Sequence, residues 1–200
     1  MNKTLLSLLA AASLALGLLA PAQATVLTFD DIAAGTLTTY NGFNWTNASV
    51  AKPADFGGFQ GVAQGLVSGD QVLLNPNFGT TIIASTTAFS LNSGYFTSWN
   101  GHGIDLTVVG YLGGIKQGVG TYQISDQISS LIDFDQSVFG NVDRVTFSNY
   151  AGFGTFGDSL VIDNLRVNDA SSGRDVPEPA SIALLGLGLL GLAAARRKRA

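Results

Sequence analysis

In residues 104–108, 142–147 and 160–167, apolar and polar side chains alternate at every second position. A period of two sends successive side chains to opposite sides of a pleated strand, so each run predicts a strand with one buried and one wet face. Runs of the same kind, rich in Val, Ile, Thr and aromatics, recur through residues 25–175, parted by Gly, Asn, Asp and Ser at spacings of about 8–12 residues. The candidate strands are residues 26–29, 42–46, 71–74, 81–91, 94–99, 104–111, 119–124, 129–134, 142–149 and 159–167. Long helical periodicity is missing, and residues 48–54 offer at most one short turn of helix. The pattern predicts an all-β fold of antiparallel strands, a sandwich or a barrel.

The foldable part is bounded by two apolar ends. Residues 1–24 have a charged start at Lys3, an apolar run over residues 5–19 and the small-residue site Ala22-Gln23-Ala24, the three parts of a signal peptide that is removed on export. Residues 25–168 then form one domain of a size that supports a single core. The polar stretch of residues 169–176 reads as a linker. Thirteen Asp against five basic residues give residues 25–175 a formal charge of −8, which the whole-chain value of −4 hides. Such an acidic domain does not suit nucleic acid. The chain has no cysteine, which excludes disulfides, thiolate metal sites and cysteine nucleophiles.

The second apolar end has its own logic. Residues 180–195 carry no charge, and as a helix at about 1.5 Å per residue they reach about 24 Å, short of a hydrocarbon core of about 30 Å. Arg196, Arg197, Lys198 and Arg199 follow, and such a cluster stays on the cytoplasmic side as a stop. A chain exported from its N terminus would therefore hang from the membrane by its C terminus, with Pro177, Glu178 and Pro179 just outside. Two prolines keep that segment from continuing as helix or strand.

Pro-Glu-Pro, an apolar helix containing glycines and a terminal basic cluster together resemble the PEP-CTERM sorting signal of biofilm-forming Gram-negative bacteria. The resemblance covers residues 177–200 and implies an exosortase in the inner membrane as partner, with Pro177, Glu178 and Pro179 as its recognition residues. It also implies transient anchoring by the C-terminal hydrophobic helix, then cleavage and delivery to the cell surface or extracellular matrix. More loosely, Leu27-Thr28-Phe29-Asp30-Asp31, the stretch from Tyr40 to Trp45, and Val161-Ile162-Asp163-Asn164-Leu165 resemble exported jelly-roll domains that precede such signals, which implies an antiparallel jelly-roll-like β-sandwich.

Candidate chemistry in the domain is sparse. Asp30, Asp31 and Asp163 are candidate Ca²⁺ ligands if the first and last strands are neighbours, although Ca²⁺ takes about 6–8 oxygens and three carboxylates supply few of them; a turn cap and a wet strand face are the competing roles. No other cofactor is expected. Among the aromatics, Tyr40, Phe43, Trp45, Trp99, Tyr111, Tyr150, Phe153 and Phe156 are divided between core and sugar stacking, a division the sequence leaves open. His102, the sole histidine, lies between glycines with no nucleophile elbow, and Asp133 and Asp135 point to one side of a strand, where a solvated face explains them better than glycoside chemistry. The glycines of residues 57–65 read as a loop. The reading that results is a non-catalytic exported surface or matrix protein with weak affinity for polysaccharide. The alternative is an extracellular hydrolase acting on glycans.

Overall fold

A computed structural model describes residues 24–169, apart from 58, 77–78, 100–102 and 150–159. The signal-peptide segment, His102, Tyr150, Phe153, Phe156, the linker beyond residue 169, Pro177, Glu178, Pro179 and the basic cluster lie outside the described residues. Within them, the chain forms thirteen strands in two antiparallel sheets, a sandwich rather than a barrel. The strands are β1 (Thr25–Leu27), β2 (Gly35–Thr36), β3 (Thr39–Tyr40), β4 (Phe43–Thr46), β5 (Ser49–Ala51), β6 (Val72–Leu74), β7 (Thr81–Phe89), β8 (Leu91–Ser98), β9 (Ile104–Leu112), β10 (Ile115–Ile124), β11 (Ser130–Asp133), β12 (Val142–Asn149) and β13 (Leu160–Val167).

One sheet runs β11-β8-β13-β6-β5-β2, with β1 also paired to β13, so the first and last strands are neighbours. The other runs β10-β9-β12-β7-β4-β3. Between them the inward side chains make the main core, including Leu27, Phe29, Trp45, Ile83, Phe96, Leu106, Val108, Val145, Phe147, Ile162 and Leu165. Ring contacts, such as Phe96 of β8 with Phe147 of β12 at 5.8 Å between ring centres, tie the two layers across the gap.

Two hairpins show how local chemistry sets register. Asn41-Gly42 and Gly113-Gly114 hold positive φ at both turn positions (50° and 80°, 58° and 79°) and join β3 to β4 and β9 to β10. Two-residue loops of that kind match the right-handed strand twist and demand residues that tolerate positive φ.

The glycine-rich stretch is not a loop throughout. It contains helix α1 (Gln60–Gly65), preceded by a 3-10 turn (Pro53–Asp55), and α1 lies on the outer side of the first sheet against β8 and β13. Gly61 and Gly65 are one helical turn apart, and a Cβ at either would collide, with the Ser98 carbonyl oxygen and the Val161 side chain respectively. The missing side chains let the helix backbone press on the sheet, which is why a poor helix-forming sequence is helical here. Val62, Val72, Leu74, Val161 and Ala51 form a second small core beneath it, with Phe56, Leu66 and Trp99 at its margin. A second helix, α2 (Gln136–Phe139), contributes Phe139 to the main core, and Val138 sits where a side chain on Gly118 of β10 would collide. Residues 48–54 become β5 and part of the 3-10 turn.

Candidate functional site

The two sheets differ in what covers them. The outer side of the first sheet is roofed over β6, β13 and β8 by the segment of residues 52–71, whereas the outer side of the second sheet, formed by β10, β9, β12, β7 and β4, is the broad open face.

The roof is held down by two of the three carboxylates considered as Ca²⁺ ligands, Asp163 and Asp30. Asp163 is fully buried on β13, and its Oδ2 accepts from the backbone N–H of Val67 and Ser68, at 2.8 and 2.9 Å, while Oδ1 accepts from Asn164 N–H at 2.7 Å. Burial raises its pKa above the ordinary carboxylate value, the three N–H donors partly offset that, and the nearby Asp30 charge adds to the rise. Asp30 Oδ1 accepts from the N–H groups of Asp70 and Gln71 at 2.9 and 3.1 Å. The Gln71 side chain in turn donates to the carbonyls of Phe29, Asp30 and Ile32. Asp31 accepts the Tyr40 hydroxyl at 2.7 Å, and burial, then this bond, raise the Tyr40 pKa to about 12. The three aspartates thus meet N–H and O–H donors, and among the described residues no group of three or more His, Cys, Asp or Glu is placed to hold a metal ion. Asp163 lies on a roofed face rather than a wet one, because the sequence pattern of β13 cannot register a cover supplied by residues about a hundred positions earlier.

The other candidates also separate. Asp135 caps α2, its Oδ1 accepting from Ser137 N–H at 2.8 Å, which lowers its pKa, and Asp133 lies exposed on the edge strand β11. Asp135 is therefore a helix cap and not one of two carboxylates on a strand face. Tyr40, Phe43 and Trp45 belong to the core, Trp99 packs edge-on to Phe56 and Phe59 under the roof, and Tyr111 stands on the open face.

That face is built by register. Lys116, Tyr111, Arg144, Ala84 and Asn44 are successive cross-strand partners, so they form one row across five strands. The next row is Val119, Val109, Thr146, Ile82 and Thr46, then Thr121, Thr107 and Ser148, and last Gln123 beside Asp105. The complementary positions, such as Gly118, Gly110, Val145, Ile83 and Trp45, turn inward. From Tyr111 to Asp105 the face extends about 20 Å at roughly 3.3 Å per residue. At the Asp105 end an open cleft of about 360 Å³ is lined by Gly103, Ile104, Asp105, Gln123, Ile124, Ser125 and Ser130. The face therefore offers cations and an aromatic ring at one end, a strip of methyl groups in the middle, and hydroxyl, amide and carboxylate groups at the other. No helix among the described residues is long and apolar enough to cross a membrane.

An all-β antiparallel sandwich with one open sheet face is the class of protein the geometry defines. Residues 175–199 match the PEP-CTERM protein-sorting motif, which marks the chain as an exosortase-sorted surface protein. No match is found among curated protein sequences. Solved structures with a similar layout include a DUF4465 family protein from Bacteroides ovatus, 10% identical with a TM-score of 0.46 over 75% of this chain and 90% of that one. Another is a mutant of a family 29 carbohydrate binding module, 16% identical, TM-score 0.40, over 72% and 90%. A third is the arabinose-bound α-L-arabinofuranosidase MgGH51, 13% identical, TM-score 0.44, over 73% of this chain; this chain spans 26% of that one. Likeness at this level is one of layout and carries no ligand across.

Proposed function

We propose that the protein is an exported, non-catalytic component of the cell surface or extracellular matrix that binds polysaccharide on the open face of its second sheet. The observation that carries its destination is the PEP-CTERM match over residues 175–199. On this reading residues 1–24 start export and are removed, and residues 180–195 with Arg196, Arg197, Lys198 and Arg199 halt it in the inner membrane. An exosortase then reads Pro177, Glu178 and Pro179, and a cut near them frees the domain. The halting step follows from the short uncharged run and the basic cluster behind it. Intact mass spectrometry of the extracellular protein from its native host tests this: a C terminus near Pro177 to Ala180 is expected, and a mature species retaining Arg199 would overturn it.

The binding half of the proposal is supported by the open face itself. Hydroxyl, amide and carboxylate groups flank an apolar strip there, which is the mixture a sugar ring, polar at its rim and apolar on its faces, requires. Retardation of the protein in native gels containing polysaccharide is the measurement, and free migration through both neutral and acidic polymers would count against it. The three Asp and the Tyr40 hydroxyl bonded to one of them support a structural, not a catalytic, role for those side chains.

A further inference from the structure

Resting on the reading of the open face as a glycan surface, we infer that its ligand is an acidic polysaccharide, held by carboxylate groups at the row formed by Lys116, Tyr111 and Arg144. The domain as a whole is strongly acidic, with five basic residues in residues 25–175. Two of those five are drawn by strand register into a single row on the broad outer face of the second sheet, which no element among the described residues covers. Among the described residues the ion pairs are Lys52 with Asp70 and Arg166 with Asp169, both elsewhere; neither Lys116 nor Arg144 joins one. The nearest acid in sequence, Asp143, is turned to the β9 to β10 hairpin, where its Oδ2 accepts from Gly113 N–H at 2.6 Å.

The arrangement of Arg144 is specific. Its guanidinium carbon lies 4.2 Å from the centre of the Tyr111 ring, and its Nε is enclosed without a hydrogen-bond partner. Stacking on the ring fixes the plane of the guanidinium, and a guanidinium with a fixed plane presents a fork that a carboxylate can accept from with both oxygens. Tyr111 is then a positioning residue for Arg144. Lys116, exposed on the other side of the ring, adds a point charge without directional demand. Beyond them Val119, Val109, Thr146 and Ile82 offer an apolar strip on which the sugar ring bearing the acid can rest. Asp105 at the far end repels the same polymer, so the acid groups are drawn to one end of the face. A neutral glycan could accept hydrogen bonds from the row but would leave its two positive charges uncompensated, and nucleic acid would need a longer basic track than two residues provide.

The test uses the exported protein purified from its host, with affinity electrophoresis in gels containing polygalacturonate, the same polymer fully methyl-esterified, or dextran sulfate. Retardation by polygalacturonate at least tenfold stronger than by the ester is expected, weakening with added salt. Loss of one charge-assisted hydrogen bond corresponds to about a tenfold or greater weakening, so Arg144→Gln is expected to weaken binding at least that much. Arg144→Lys, which keeps the charge and loses the fork, is expected to fall short of wild type by several-fold. Lys116→Gln, at an exposed position, gives a smaller loss and leaves the core untouched. Equal retardation by polygalacturonate and its ester would overturn the acidic-ligand inference while leaving the glycan reading intact; no retardation by any polymer would remove both. Dextran sulfate binding more tightly than polygalacturonate would overturn the carboxylate assignment. Unchanged polygalacturonate binding in both Arg144→Lys and Lys116→Gln would place the site elsewhere.

Discussion

Replacing Asp163 by alanine tests whether the roof over the first sheet is held by a buried carboxylate. The wild-type side chain is fully buried and accepts three backbone N–H bonds, from Val67, Ser68 and Asn164. Removing it leaves three donors without their acceptor, and each such loss costs about 1 kcal/mol or more where water does not reach. The charge that burial penalises is removed at the same time, which offsets part of the cost. A net destabilisation of about 2–3 kcal/mol at neutral pH is expected, read as a lower urea midpoint at an unchanged slope. The pH dependence gives a second, independent readout. Because the native pKa of Asp163 is raised, the folded state holds this proton more tightly than the unfolded state does. The stability this group contributes is therefore fully present below the ordinary carboxylate value of about 3.9 and declines as pH rises through the raised native value. Asp163→Asn lacks that slope, so the gap between wild type and Asn variant narrows as pH rises from acid to neutral. A change below about 0.5 kcal/mol in the Ala variant, or a gap that widens with pH, would refute the reasoning. Because all three aspartates meet protein donors, Ca²⁺ or a chelator is expected to leave the melting temperature unchanged, and a rise with Ca²⁺ would show that a metal is bound.

Two further outcomes follow from the same corner of the fold. Gly69 sits at φ +61° with its α-carbon turned to the Asp30 carboxylate, so Gly69→Ala combines positive-φ strain with a collision and is expected to destabilise by about 1–3 kcal/mol in thermal or urea unfolding. Spectrophotometric titration is expected to show one tyrosine ionising at about 12, that of Tyr40, and Asp31→Asn should bring it down; in wild type the corresponding stability is present below pH 10 and lost as pH climbs towards about 12. Titration of all the folded protein's tyrosines near pH 10 would show that Tyr40 is not enclosed as described.

Much of the fold was legible because it rests on local pattern. The alternation in residues 142–149 coincides with β12, and most of the longer strands begin or end within three residues of where the sequence places them. The short strands β2, β3 and β5 were not, since two or three residues carry too little periodicity. Asn41-Gly42 is a two-residue hairpin signal, and it is the one local mark of β3. Helix α1 could not be read at all, because its glycines are explained only by the Ser98 carbonyl and the Val161 side chain they lie against. The candidate site divides the same way. Tyr111 stood among eight aromatics with nothing in the sequence to mark it, and Arg144 and Lys116 are 28 positions apart in the chain.

By itself, then, the sequence determined the properties that depend on neighbours along the chain: two apolar ends, a sorting motif at residues 175–199, and alternating strands that make an all-β antiparallel fold. Tertiary structure alone decided which sheet face is roofed and which is open, turned Asp30 and Asp163 towards backbone amides, and set Lys116, Tyr111 and Arg144 side by side. The physical reason is that strand register and sheet order bring together residues far apart in sequence, and neither composition nor periodicity records who those partners are.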